Sequence, residues 1–258
     1  MIVFVYGTSA EGIKLAPLAR RLESRGVAYE QWLTMFHGSS LRQSAQNLGF
    51  NDSQEVIPNG NEGQTIRSPL QTLRWILSCL VWIIHNRARL KKRLGKDSIL
   101  IVHGDTLTTV LGAVFAKILR LPSAHVEAGL RSGNWRHPFP EELDRIIAGA
   151  LVSIHYAPTQ ESVNNLRNKQ NVVFTHGNTV LDSVLDVEVG KDISQEKFGV
   201  CLLHRFEFLG NPDLVRATLD LIAQKSPVPV RLYLDDYAGG IMGSTIDQIG
   251  SGKLVAQK

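Results

Sequence analysis

The feature that most constrains this chain is a recurring unit of apolar strand, polar tip and helix. Residues 2–6 form an apolar run that stops at Gly7-Thr8-Ser9, and Ile13, Leu15, Ala16, Leu18, Ala19 and Leu22 then recur at helical spacing as far as Gly26. Thr8 and Glu11 stand in capping-box relation, which places the start of that helix. A second strand over about 29–35 ends at His37-Gly38-Ser39-Ser40 before another short helix. Residues 99–102 stop at His103-Gly104-Asp105-Thr106 and lead into a small, apolar helix over 108–119. Short strands at 124–126, 154–157 and 172–174 continue the series, alternating with helices that start near Glu141 and Thr159. Strands joined in this way by helices pack as a doubly wound parallel sheet, a Rossmann-like α/β fold.

Between 185 and 195 the pattern lapses into a polar stretch, and residues 200–203 open a fresh βαβ unit that closes around 230–234. The expected domains are therefore 1–186 and 187–258. After Asp236 the chain is rich in Gly and Ser, and no complete sheet is expected to follow, so the second domain reads as incomplete. Hydrophobic residues at 43% and charged residues at 20% exclude disordered, collagenous and coiled-coil classes. A net charge of +4 suits an anionic small molecule better than it requires a nucleic acid. Cys79 and Cys201 are far apart and offer neither a disulfide framework nor zinc spacing, which fits a reducing cytoplasm. The apolar first residues lack the basic flank of a secretion signal.

Residues 70–94 form a helix that is apolar nearly all round. Leu73, Ile76, Leu77, Leu80 and Ile84 make one stripe, Trp75, Cys79 and Trp82 a second, and a basic run from Arg87 to Lys96 follows. Two stripes need two partners, the sheet on one side and a second subunit on the other, so a homodimer is expected. A basic membrane-surface helix is the less favoured reading. The run has no interleaved aromatics, so no nucleic-acid partner is expected.

In a parallel sheet ligands sit beyond the carboxyl ends of the strands, and the polar tips are the residues to weigh. Gly7-Thr8-Ser9 with Lys14 offers a glycine turn at a helix N-terminus to phosphate, without a dinucleotide or P-loop fingerprint. Asp105 stands at a strand tip and could equally cap the next helix. Glu127 and Arg131 lie on a glycine-flanked loop, and Pro140-Glu141-Glu142 opens a helix whose dipole favours both acids. Asp105, Glu141 and Glu127 converging in a partly dry crevice would split their pKa values, as acid–base chemistry requires. His204 and Arg205 close the strand 200–203 and could meet a pyrophosphate.

The stretches HGDTLTTVLGAVFA, HVEAGLRSGNWRHPFPEELDRIIAGALVSIHYAPTQES, HGNTVLDSV and HRFE resemble the non-hydrolysing UDP-N-acetylglucosamine 2-epimerases over about four-fifths of the chain. The resemblance implies two Rossmann-like domains in the GT-B arrangement and a UDP-sugar substrate. The implied reaction is anti-elimination of UDP to an unsaturated sugar, protonation of C2 on the other face, and re-addition of UDP. It implies Asp105, Glu127 and Glu141 as acid–base carboxylates with His204 beside them, Lys14, Arg131 and Arg205 as substrate contacts, and neither cofactor nor metal. The chain departs from the family at Ser9, where an arginine is usual, at Phe206 and Phe208 after the His204-Arg205 pair, and in lacking the family's UDP-gripping serine, glycine and glutamate motif. Two further readings stay open: a non-catalytic sugar-nucleotide-binding remnant, and a GT-B glycosyltransferase.

Overall fold

A computed structural model describes residues 1–36, 38, 40–52, 54–66, 68–186, 196–203, 206–234 and 253–257. The chain divides into two compact units, Met1–Glu188 and Val189–Lys258. The first unit runs β1 (Ile2–Tyr6), α1 (Ser9–Glu23), β2 (Tyr29–Leu33), α2 (Ser40–Asn47), β3 (Gln54–Val56), α3 (Pro69–Leu94), β4 (Ile99–His103) and α4 (Leu107–Leu119). It continues with β5 (Ser123–Val126), α5 (Glu141–Leu151), β6 (Ile154–Ala157), α6 (Gln160–Asn165), β7 (Val172–Phe174) and α7 (Val180–Leu185). All seven strands pair in parallel in the order β3-β2-β1-β4-β5-β6-β7. This is the expected doubly wound α/β sheet, and its order reverses between β1 and β4, where a crevice opens beyond the strand ends.

Local chemistry explains why the elements start where they do. Thr8 caps α1 through Glu11 N–H, and the Glu11 carboxylate returns to the Thr8 N–H, completing the capping box. Thr106 and Thr159 cap α4 and α6 in the same way with their hydroxyls. At the reversal a glycine is obligatory: a Cβ on Gly7 would collide with the hydroxyls of Thr34 and Thr108. One core packs β1, β4, α3 and α4 around Trp32, Trp75, Ile83, Leu100 and Phe115. On the other face Phe4, Leu15, Tyr29, Leu33 and Phe50 pack beneath α1. No helix among the described residues is long and apolar enough to cross a membrane.

The helix α3 corrects the two-stripe reading. Trp75, Cys79, Ile83, Leu90 and Leu94 are its buried face, while Ile76, Leu80 and Trp82 are half-buried against the same core. The outward stripe is instead Leu70, Leu73, Leu77, Val81 and Ile84, all more than half exposed, at spacings of three and four residues. Ile76 and Leu80 thus leave the stripe that holds Leu73, Leu77 and Ile84, because spacing alone does not fix where a broad apolar face begins.

The second unit holds β8 (Gly199–Leu202), α8 (Phe206–Leu209), α9 (Pro212–Lys225), β9 (Val230–Tyr233) and β10 (Leu254–Gln257), a three-stranded parallel sheet in the order β10-β9-β8. Strands β3 and β10 were not expected. Both are edge strands of three or four residues, and β3, Gln-Glu-Val, has no alternating pattern to read.

Candidate active site

The polar tips gather at the carboxyl ends of β1, β4 and β5. Glu11 is the buried hub that ties two of them together. One of its oxygens accepts from Gly7 N–H at 3.0 Å, Thr8 N–H at 2.9 Å and the Thr8 hydroxyl at 2.9 Å, and the other accepts from Thr106 Oγ1 at 2.8 Å. Burial pushes its carboxyl pKa up, against the opposing pull of those donors.

Two carboxylate clusters flank that hub. In the first, Glu127 sits in the left-handed backbone region at φ +67° and its side chain is 8% exposed. Lys14 Nζ donates to Glu127 Oε2 at 2.7 Å, and the amide of Asn178 donates to the same oxygen. His103 Nε2 stands 3.6 Å from it and makes no hydrogen bond. Burial, reinforced by the Lys14 charge, holds the His103 pKa well below the usual histidine range, so the ring is neutral. Glu127 and Asn178 also border an apolar pocket of about 360 Å³ lined by Ile101, Val126 and Tyr156.

In the second cluster, Asp105 accepts from Arg145 Nη2 at 2.5 Å, while Arg145 Nη1 donates to Glu142 Oε2 at 3.1 Å. Glu142 Oε2 also accepts from Ser132 N–H at 3.0 Å, which ties the loop after β5 to α5. Glu142 is thus a buried structural carboxylate. Glu141 and Asp144, in the first turn of the same helix, each keep one buried oxygen without a partner. Burial, then the neighbouring charges of Asp105 and Glu141, push the Asp144 pKa up to about 7. Arg131 is half-buried, donates to the Leu130 carbonyl at 2.7 Å, and lies against α5 at Gly149. Its pKa is lowered by burial from the ordinary arginine value.

Beneath the tips, His125 Nε2 donates to the Gly104 carbonyl at 2.6 Å, and burial pushes its pKa down to about 4. Lys14 meets Glu127 and Asp105 meets the helix that begins at Glu141. His204 and Arg205 lie outside the described residues. Ser9 Oγ donates to Ser44 Oγ at 3.1 Å. The sequence alone assigned no role to Asn178, His103, Asp144 or Arg145. No group of three or more His, Cys, Asp or Glu able to hold a metal ion occurs among the described residues.

A reversal-point crevice in a seven-stranded parallel sheet places the chain among Rossmann-like, doubly wound α/β proteins. Its similarities narrow that class. The family model described as UDP-N-acetylglucosamine 2-epimerase matches residues 78–237. The Bacillus subtilis UDP-N-acetylglucosamine 2-epimerase is 33% identical over 226 residues, covering 82% of this chain and 55% of the relative. The Escherichia coli enzyme of the same name is 33% identical over 220 residues, covering 82% and 54%. The Neisseria meningitidis UDP-GlcNAc 2-epimerase, solved bound to UDP-GlcNAc, shares the fold at a TM-score of 0.77 and 24% identity, with 100% of this chain and 72% of that one covered. The chain belongs to the UDP-N-acetylglucosamine 2-epimerase family, and spans about half the length of the curated relatives it matches.

Proposed function

We propose that this chain carries the acid–base residues of a UDP-GlcNAc 2-epimerase, interconverting UDP-GlcNAc and UDP-ManNAc. The observation that carries the reading is the pair of carboxylate clusters at the reversal point, Glu127 against Lys14 and Asp105 against Arg145 with Glu141 beside it. A base removes the C2 proton while the anomeric C1–O bond breaks and UDP leaves with the electron pair. A second acid then protonates C2 of the unsaturated sugar from the opposite face, and UDP adds back at C1. Glu127 and Glu141 are assigned to the C2 proton, and Asp105 completes the set. Lys14 and Arg131 are assigned to the anionic substrate, and His204 and Arg205 to its phosphates on the sequence resemblance alone.

The outward stripe of α3 supports a second assignment, a homodimer. Five exposed aliphatic side chains at helical spacing on a 26-residue helix make a seam suited to a second copy of the same helix.

The test is proton NMR of UDP-GlcNAc in deuterated water, with this chain alone and with the chain joined to the remaining C-terminal segment of its Bacillus subtilis relative. Deuterium appearing at C2 during turnover is the expected result. Interconversion without deuterium at C2 defeats the elimination mechanism, and a completed chain that leaves the sugar nucleotide unchanged defeats the activity.

A further inference from the structure

The second carboxylate cluster holds more acid than its cations can offset. Asp105 and Glu142 are paired with Arg145 on α5, Arg131 on the loop after β5 lies near Glu142, and Glu141 and Asp144 stand beside them. The geometry already commits Arg145: one nitrogen of its fork donates to Asp105 and another to Glu142. Arg131 donates to a backbone carbonyl. Glu141 and Asp144, three residues apart on one face of the helix, are left with buried, unpartnered oxygens.

On the loop that leads into this turn, Arg136 is exposed with its guanidinium over the Trp135 ring at 4.7 Å, and His137 is exposed. The first turn of α4, which packs on α5, is uncharged, and the helix's one charged residue, Lys117, is exposed near its far end. Burial pushes the pKa of His125 down to about 4 and lowers that of His155, both on the strands beneath. An acid excess in such a place is relieved by a proton, and the proton goes to the carboxyl for which ionisation costs most. That is Asp144, which is 2% exposed, whereas Glu141 is partly open to solvent.

We propose that Asp144 is a positioning acid: it stays protonated in the folded protein, so that Asp105 and Glu141 can ionise beside it within the charge that Arg145 and Arg131 offset. This rests on the reading of Asp105 and Glu141 as members of the acid–base set. The upward displacement of its pKa to about 7 agrees with the geometry. Above that pH a further negative charge enters the turn beside Asp105 and Glu141. Asp144 touches no reacting atom in this account; it sets the proton count of the two that do.

The experiment is a carbon-detected NMR titration of the side-chain carboxyls of the whole 258-residue chain, isotope-labelled at Asp and Glu, compared with Asp144→Asn. One aspartate is expected to titrate near neutrality, with a second step at the same pH in the Asp105 and Glu141 signals, and all three features should vanish in Asp144→Asn. Asp144→Ser assigns the step equally well if the asparagine variant does not fold. Aspartates that all titrate in the ordinary carboxylate range, or a near-neutral step that survives both substitutions, overturn the proposal. A residue that served packing alone would leave the neighbours' second step unmoved. The titration uses no substrate, so a failure of C2 exchange bears on the reaction and a failure here bears on Asp144.

Discussion

Glu127 and Asp144 are carboxylates at the same end of one sheet, each more than nine-tenths buried, and their surroundings treat them in opposite ways. Glu127 receives an ammonium and an amide on one oxygen. Asp144 receives no donor on Oδ2 and has acids for neighbours. Burial alone therefore does not decide the state of an acid; what decides it is whether the fold also brings a cation within hydrogen-bonding distance. The cation at Glu127 comes from α1 and the amide from the loop before α7, so three distant segments must assemble before that carboxylate is compensated. The surroundings of Asp144 come largely from its own helix and the tip of β4.

The sharpest way to break this contrast is Glu127→Gln in the completed enzyme. The amide keeps the size of the side chain and cannot accept the C2 proton, so deuterium exchange should fall roughly a thousandfold. Nucleotide binding, measured by calorimetry, should stay nearly constant, because the loss is confined to the chemical step.

A second contrast lies in pH. The unfolded His125 titrates near the ordinary histidine value and the folded one at about 4, so the unfolded state binds more protons in that window. Stability is then full above about pH 6.5 and declines as the pH falls toward 4, by about 3 kcal/mol from this residue. Asp144 works the other way. Its raised pKa gives stability that is full at low pH and is lost as the pH rises from the unfolded aspartate value to about 7. Melting temperatures of Asp144→Asn should therefore overtake those of the parent increasingly between about pH 4 and pH 8. A constant offset across that range would contradict it.

A smaller effect is expected from Lys14→Met, which keeps the aliphatic stem and strips Glu127 of its cation. Lys14 is partly exposed, so the penalty is discounted to about 2 kcal/mol, or roughly 4 to 8 °C in melting temperature. The same change followed by Glu127→Gln should recover part of that loss, because the uncompensated charge is gone; double-mutant melting curves measure the recovery. The smallest effect on the folded subunit belongs to Leu77→Glu with Ile84→Glu, whose side chains are exposed on α3. Stability should change by about 0.5 kcal/mol or less per site. Sedimentation should nevertheless show a dimer becoming a monomer, and a parent chain that is already monomeric removes the basis for the seam.

The strand tips were legible because each required a local signal: Gly7 before Thr8 and Glu11, Gly104 before Asp105, and Pro140 before Glu141. Asp144 and Arg145 could have been found by carrying the helical period inward from Glu141, since positions three and four later share its face. Asn178 could not. Its meeting with Glu127 depends on β7 lying two strands from β5, a tertiary fact with no local signature. The outer stripe of α3 was half legible, because the spacing defined the repeat and only packing against Phe115 and Trp32 fixed its phase.

The two cysteines give the chain a pair of built-in clocks. Cys79 is sealed in the core of the first unit, and burial pushes its thiol pKa up to about 12, so neither access nor thiolate is on offer while that core is closed. Cys201, on β8 of the second unit, is half-buried. Alkylation followed by mass spectrometry would time the opening of each unit in the same tube, with one mass increment for the second unit and a later one for the first.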